Sequence, residues 1–419
     1  MARLAPFLFG SFLIAAFFGL TQTEVGLDVT FTSGWTNSRP AEIYFWLATA
    51  LLLLPGASAI GWALRGPLTK VALAARERLW ALERQEKLAG LLGVFSFGLV
   101  AATLLNQLVF LGQPFTDDES GIRYGGRLFA SGRVTEPAPD FLALIPTRFL
   151  YLRDGLITSF DWLGGQLAWA VAELTATENA IFAVFAAAAL TALVALVSVR
   201  LGVVWGAVAG IFFVVSPMAV FLSGTSHAHV ISRGLLALSL LAWVWATEKG
   251  KSGHWFLAGL LAAGAWITRP PEITALWLPF GVLMVWEALK GVDGARRNLA
   301  FFLLGAVFPL AAFLAHSVAV TGTILPARFA PNEIPQSAVL KDHIKAPFAF
   351  LESPGLLWTR FGANVSYNAF MLAIAALGPV GLILVAAGAS VDRFTKLLSA
   401  GLVLALTIAL LHDNYGLHL

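Results

Sequence analysis

The stretch from Asn179 to Val199, NAIFAVFAAAALTALVALVSV, contains no charged side chain. An α-helix needs about 20 consecutive apolar residues to cross the hydrocarbon core of a bilayer. This stretch has that length and ends at Arg200, a residue type that commonly flanks membrane spans. It therefore predicts a transmembrane helix.

The composition of the whole chain agrees with this prediction. Of its 419 residues, 58% are hydrophobic and 12% are charged, whereas soluble domains average about 25% charged residues. An ordinary soluble enzyme, a disulfide scaffold and a disordered chain are therefore excluded. The chain has no cysteine, which excludes thiolate nucleophiles and cysteine metal sites. Its basic residues flank apolar segments, so nucleic acid is not a predicted partner.

Further apolar segments predict an all-α fold, a polytopic transmembrane helical bundle of about 11 spans, some of them short or re-entrant. The first segment is interpreted as an anchor and not a signal peptide, because no small-residue cleavage site follows it. Segment 255–268 is short for a span and ends at Thr268-Arg269-Pro270-Pro271. The other predicted segments are 4–20, 42–64, 89–112, 202–222, 230–247, 272–289, 299–320, 366–388 and 397–411.

Charge sets the predicted orientation. The short loop 65–88 is rich in Lys and Arg and is placed in the cytoplasm. Alternation then places the long segments 113–178 and 321–365 outside, which makes the outer face the expected working face. Segment 141–174 is semi-apolar and predicts interfacial or re-entrant helices. The chain divides into 1–88, two helices and the basic loop; 89–320, a membrane core; and 321–419, an outer loop and C-terminal helices.

The sharpest local feature is Thr116-Asp117-Asp118-Glu119-Ser120. Adjacent carboxylates beside a low-dielectric layer repel one another, so one of them is a candidate general base with a raised pKa. Alternatively, Thr116 and Glu119 form a capping box that opens an amphipathic helix through Phe129. The two interpretations are compatible, because the cap leaves Asp117 or Asp118 available for chemistry.

A histidine turn and an arginine at a helix break are candidate anion sites. His227 and His229 are expected on different faces of a helix, so phosphate contact is favoured over a two-histidine metal site. Arg233 follows His229 by one helical turn, and its alternative role is snorkelling to the interface. Arg269 stands where the short helix stops, and its alternative role is a local pair with Glu272. The proline-opened helix that follows adds N–H groups, which makes phosphate the natural ligand.

Taken in order, these motifs resemble the GT-C superfamily of polyprenyl-phosphate-dependent membrane glycosyltransferases, in its bacterial protein O-mannosyltransferase-like branch. The resemblance covers about Phe115 to Pro279. Its motifs are the acidic cluster with Leu128-Phe129-Ala130-Ser131-Gly132-Arg133, the Ser216-Pro217 helix end with the Ser223-to-His229 turn, and the short helix ending at Thr268-Arg269-Pro270. Phe160-Asp161-Trp162-Leu163 departs from the Tyr-Pro-Pro-Gly step of relatives.

The resemblance implies a glycosyltransferase, either a hexosyltransferase or a pentosyltransferase. It would move a sugar from a polyprenyl-phosphate donor to a lipid, glycan or protein acceptor, with inversion of configuration at the sugar carbon. It implies a multi-pass protein of the bacterial inner membrane with its active site facing the periplasm. Asp118 would be the base, with Asp117 and Glu119 as further catalytic candidates, and Arg269, His229 and Arg233 would bind the donor phosphate. No metal ligand or cofactor is assigned. Relatives commonly continue beyond the end of this chain, which implies a fragment or a shortened member.

Two other functions stay open on the sequence. A transporter or flippase of a lipid-linked envelope precursor would use the broken helix 255–268/272–289 as its binding site, although no internal repeat accompanies it. A non-catalytic protein of envelope assembly would bind lipid without turnover.

Overall fold

A computed structural model describes residues 3–21, 48–80, 84–114, 116–140, 149–177 and 180–334, together with Leu397. The predicted spans 366–388 and 397–411 lie outside the described residues apart from Leu397. The chain divides into two compact units. The first comprises Met1–Ala81, Ile211–Ala219 and His343–Leu419, and the second comprises Leu82–Gly210 and Val220–Asp342.

In the first unit, two helices pack against each other. Helix α1 spans Leu4–Thr21, and a π-helical turn at Thr49–Leu53 leads into α2, Leu54–Trp80. The predicted loop 65–88 is wrong in its secondary structure, because α2 continues to Trp80 and the next helix begins at Arg84. The segment is rich in Ala, Leu, Arg, Lys and Glu, which are strong helix formers.

Five described helices are long and apolar enough to cross a membrane: Glu86–Leu108, Ala180–Leu201, Ala228–Lys249, Pro270–Leu289 and Ala295–Thr321. They belong to the second unit. At about 1.5 Å per residue, each reaches the roughly 30 Å of a hydrocarbon core. The prediction of a mainly helical protein with several helices suited to cross a membrane is therefore confirmed, whereas the number of 11 spans is not.

Along the chain, the helices of the second unit follow in order, with a small sheet after the second of them. The bounds are α3 Arg84–Leu108, α4 Asp117–Ala130, α5 Leu163–Leu174, α6 Ala180–Leu201, α7 Val203–Val215, α8 Pro217–Gly224, α9 Ala228–Lys249, α10 Ser252–Trp266, α11 Pro270–Leu289 and α12 Ala295–Thr321; α7 and α8 also contribute residues to the first unit.

The predicted single span 202–222 is wrong, because it is divided into α7 and α8 at Ser216-Pro217. Proline has no N–H to donate and disfavours helical geometry in the residue before it. The Ser216 hydroxyl accepts a hydrogen bond from the backbone N–H of Ala219 at 3.4 Å, which starts the second helix. The break predicted after the short helix 255–268 is confirmed, since α10 ends at Trp266 and α11 begins at Pro270.

A small antiparallel sheet has two of its strands in 149–160, where interfacial or re-entrant helices are predicted; within the same predicted segment 141–174, α5 is helical as expected. Its strands are β1 Glu136–Pro137, β2 Leu150–Arg153 and β3 Leu156–Ser159, in the order β1-β3-β2. The turn between β2 and β3 is Asp154-Gly155, with φ of 52° and 73°. Positive φ at both positions is what a two-residue hairpin turn requires, and Asp-Gly satisfies it.

Close backbone contact joins α10 and α12. A Cβ on Gly259 would collide with the carbonyl oxygen of Phe302, and a Cβ on Gly305 would collide with that of Phe256. Small residues at such crossings let membrane helices approach closely and pack. Because α10 ends at the candidate site, this contact fixes the site's position in the bundle.

Candidate functional site

The buried carboxylate of Glu119 joins the start of α4 to the turn before α9. Thr116 is the N-cap of α4, and its hydroxyl accepts from the backbone N–H of Glu119 at 3.3 Å, as the capping-box interpretation predicts. The Glu119 side chain is fully buried, and its Oε2 accepts from the backbone N–H of Ser226 at 3.0 Å. Glu119 is therefore a structural connection between the acidic cluster and the histidine turn.

Asp118 contacts the histidine turn directly. Its Oδ2 lies 3.6 Å from Nε2 of His227, and about a third of its side chain is exposed. His227 has extended backbone angles at the N-cap of α9, so its ring lies outside the helix. The structure thus pairs the predicted base with His227, a residue to which the sequence assigned no separate role. Asp117 is the first residue of α4, and its side chain is not among those described.

His229 continues this arrangement. Its Nδ1 is in hydrogen-bond contact with Nδ1 of His227, and the two ring centroids are 4.2 Å apart. The expectation that these histidines lie on different helix faces is wrong, because His227 precedes the helix. Nε2 of His227 is close to Asp118 but beyond hydrogen-bond distance. Only one of the two facing Nδ1 atoms can carry the shared hydrogen, so the tautomer of one ring sets that of the other.

Asp161 is a second carboxylate at this place, and the sequence did not select it. It lies between β3 and α5, with 8% of its side chain exposed. Its Oδ2 lies 3.2 Å from where a Cβ on Gly121 would stand, on the same face of α4 as Asp118. Among the described residues, this oxygen has no hydrogen-bond partner.

The charges around Asp161 identify its neighbours. Burial raises the pKa of Asp161 to about 7. The positive charges of Arg328 and, less strongly, Arg269 oppose this rise, whereas the negative charge of Asp118 adds to it. Asp118 and Arg269 therefore both act electrostatically on one buried carboxyl group. The predicted base and the predicted phosphate-binding arginine are thus linked by their effect on the same carboxyl group.

Arg269 is at the break between α10 and α11, as predicted. It is the N-cap of α11, and both Nε and a terminal nitrogen donate to Oε1 of Glu272, the former at 3.0 Å. The local pair that the sequence offered as an alternative is thus present. About a fifth of the Arg269 side chain is exposed. Arg233 donates to the Ser223 hydroxyl at 2.8 Å, one turn before α9.

One core places these helix ends together. Ile122 of α4, Trp169 of α5 and the Ala228 and Ile231 side chains of α9 belong to the same buried cluster. The backbone N–H of Gly164, at the start of α5, donates to the carbonyl oxygen of Ile267 at the end of α10 at 3.0 Å. The apolar contacts therefore position the polar ends of four helices.

The chemistry available here is proton transfer beside fixed cations. Asp118 is an accessible carboxylate, His227 contacts it, and Arg269 and Arg328 supply positive charge around Asp161. Within the described part of the chain, no three His, Asp or Glu side chains are grouped as metal ligands. Comparisons with protein-family models, with curated proteins and with solved structures gave no match.

Proposed function

We propose that the chain is a membrane glycosyltransferase that moves a sugar from a polyprenyl-phosphate donor to a hydroxyl acceptor, with inversion at the sugar carbon. The observation that carries this proposal is the pairing of Asp118 with His227 at 3.6 Å, next to the buried Asp161. A carboxylate held by an imidazole and about one-third exposed has the accessibility that a general base needs.

The transfer requires two changes of charge at once, one on the acceptor hydroxyl and one on the leaving phosphate. The acceptor hydroxyl must lose its proton to Asp118, while departure of the phosphate group places negative charge on the leaving oxygens. Arg269, at the N-terminus of α11, is a predicted phosphate-binding residue whose charge acts on Asp161. Helix N-terminal N–H groups add to the attraction for an anion.

The contacts of the other residues at this place favour different roles. We propose that His227 positions Asp118 and that His229 fixes the tautomer of His227. Glu119 holds the turn through Ser226, and Arg233 holds it through Ser223. On this account the site lies on the outer face of the membrane, as the charge-derived orientation predicts, and the resemblance implies that this is the periplasmic side of a bacterial inner membrane.

A donor comparison tests the proposal. The full chain is reconstituted in liposomes and supplied with polyprenyl-phosphate-linked hexoses and pentoses, or with the matching nucleotide sugars. We expect transfer from a lipid-linked donor and none from nucleotide sugars, and transfer from nucleotide sugars alone would contradict the proposal.

The broken pair α10 and α11 is the observation that favours a transporter or flippase. The same liposomes, loaded with a fluorescent lipid-linked sugar, distinguish the two functions. Movement of the lipid between leaflets without any transfer of sugar would favour the transporter.

A further inference from the structure

The loop after α12 carries an arginine that is held in a fixed position. Asn332 accepts from the backbone N–H of Leu152 at 3.0 Å and donates to the carbonyl oxygen of Leu150 at 3.0 Å. The backbone N–H of Glu333 also donates to the carbonyl oxygen of Leu152 at 3.0 Å. The loop is thus bonded to β2, an edge strand of the sheet, which places Arg328 beside the segment that follows β3.

Arg328 lies against two aromatic rings and beside the carboxyl group of Asp161. Its guanidinium carbon lies 5.3 Å from the ring centroid of Phe160 and 5.7 Å from that of Trp162. A terminal nitrogen lies 3.8 Å from Oδ1 of Asp161, which is beyond hydrogen-bond distance. Within the described residues, Nε of Arg328 is buried without a hydrogen-bond partner.

The partner carboxyl group is under-satisfied as well. Oδ2 of Asp161 is buried with no hydrogen-bond partner among the described residues. The charged groups that act on it are Arg328 from the loop, Asp118 from α4 and Arg269 from the start of α11. A buried polar atom without a partner is costly, and the presence of two such atoms among the described residues, Oδ2 of Asp161 and Nε of Arg328, indicates a ligand position.

We propose that Arg328 binds an anionic phosphodiester oxygen and that Asp161 is its internal counter-ion, which takes up a proton from solvent when the anion binds. No other bond forms or breaks. Guanidinium forms charge-assisted hydrogen bonds to phosphate, and a 28%-exposed Arg328 side chain is accessible for this. The identity of the anion as the lipid-linked donor rests on the proposed function; the binding itself does not.

The proposal makes anion affinity depend on pH. A charged Asp161 competes with the anion for Arg328, whereas a neutral Asp161 does not. Burial raises the pKa of Asp161 to about 7, so the competent, neutral fraction falls about tenfold between pH 6 and pH 8. The apparent affinity falls by the same factor.

Binding of two phosphodiester probes to the full chain in detergent tests the proposal. The probes are dimethyl phosphate, the head group alone, and farnesyl methyl phosphate, which carries an isoprenoid chain. Both stay monoanionic over this pH range, so the ligand itself does not titrate. The variants are Arg328→Gln and Asp161→Asn, and the matched control is Arg133→Gln, an exposed arginine paired with Glu136.

We expect Arg328→Gln to weaken both probes by the same factor, about tenfold to a hundredfold, and Arg133→Gln to leave both unchanged. Asp161→Asn should bind at pH 8 as tightly as at pH 6. Unchanged affinity in Arg328→Gln, a loss confined to the isoprenoid probe, or a persisting pH dependence in Asp161→Asn would overturn the proposal. If Arg328→Gln does not fold, the pH dependence of Asp161→Asn decides. No sugar transfer is measured in this experiment. The binding result can therefore be interpreted even if the proposed function is wrong.

Discussion

Replacement of Glu119 tests whether its carboxylate has a structural role or a catalytic one. Glu119 is fully buried, and its Oε2 accepts from the Ser226 N–H at 3.0 Å. Glu119→Ala leaves that donor buried without this acceptor, which costs about 1–3 kcal/mol. It also removes packed side-chain atoms, each buried methylene being worth about 0.8 kcal/mol. Together we expect a loss of roughly 2–4 kcal/mol in the free energy of unfolding.

Glu119→Gln should behave differently, because the amide oxygen can still accept from Ser226 N–H and the side chain keeps its shape. We expect it to cost less than about 1 kcal/mol, since only the charge-assisted part of the hydrogen bond is lost. Sugar transfer should also persist in this variant.

The assay is thermal unfolding of the purified protein in detergent, followed by the fluorescence of its 14 tryptophans. At about 2–4 °C per kcal/mol, Glu119→Ala should unfold at least several degrees below the wild type and Glu119→Gln close to it. Equal melting temperatures for the alanine variant and the wild type would refute the structural role. Loss of transfer in a stable glutamine variant would make Glu119 catalytic.

Three further predictions follow from other contacts. His227→Ala should lower the rate of sugar transfer at least about tenfold with little change in donor KM, because His227 positions Asp118; an unchanged rate in folded protein would exclude that role. Gly259→Leu should lower the melting temperature and the yield of folded protein, since its Cβ would meet the Phe302 carbonyl oxygen. The control is Gly253→Leu, on the same helix, where the space around the Cβ position is open. Equal losses in the two variants would refute the packing argument. Burial raises the pKa of Asp161 to about 7, so the folded protein holds a proton that the unfolded chain loses above about pH 4. This contribution favours folding below that pH and is lost progressively up to about pH 7. The melting temperature of Asp161→Asn relative to wild type should therefore rise from pH 5 to pH 8, and a flat difference would contradict the shift.

The long apolar helices were predictable because crossing a lipid bilayer imposes one strong constraint on sequence. A helix such as Ala180–Leu201 must present an uninterrupted apolar length, and this pattern is visible without any tertiary information. The cap at Thr116 and the break at Arg269-Pro270 were predictable for a similar reason, since each depends on neighbours in sequence. The Asp154-Gly155 turn is a hairpin signal of the same kind, which the prediction of interfacial helices over 141–174 did not use.

The side-chain pairings within the site could not be predicted from local sequence. Asp118 meets His227 and Asp161 meets Arg328 only through the packing of helix ends and of the loop on β2. Arg328 gave no signal, because an arginine in a polar loop is usually solvated. Asp161 stood next to aromatic residues in the segment that departs from the resembling family. Its significance depends on burial and on Arg328, neither of which has a signature in the local sequence.

Sugar transfer by Asp118→Asn tests the central claim most directly. The rate of transfer from a polyprenyl-phosphate-linked sugar is measured in liposomes for the wild type, for Asp118→Asn and for Asp140→Asn, an exposed aspartate in the same segment. Removing a general base typically costs 10²–10⁴-fold, so we expect Asp118→Asn to lose at least about a hundredfold and Asp140→Asn to match the wild type. Wild-type transfer by folded Asp118→Asn would contradict the account.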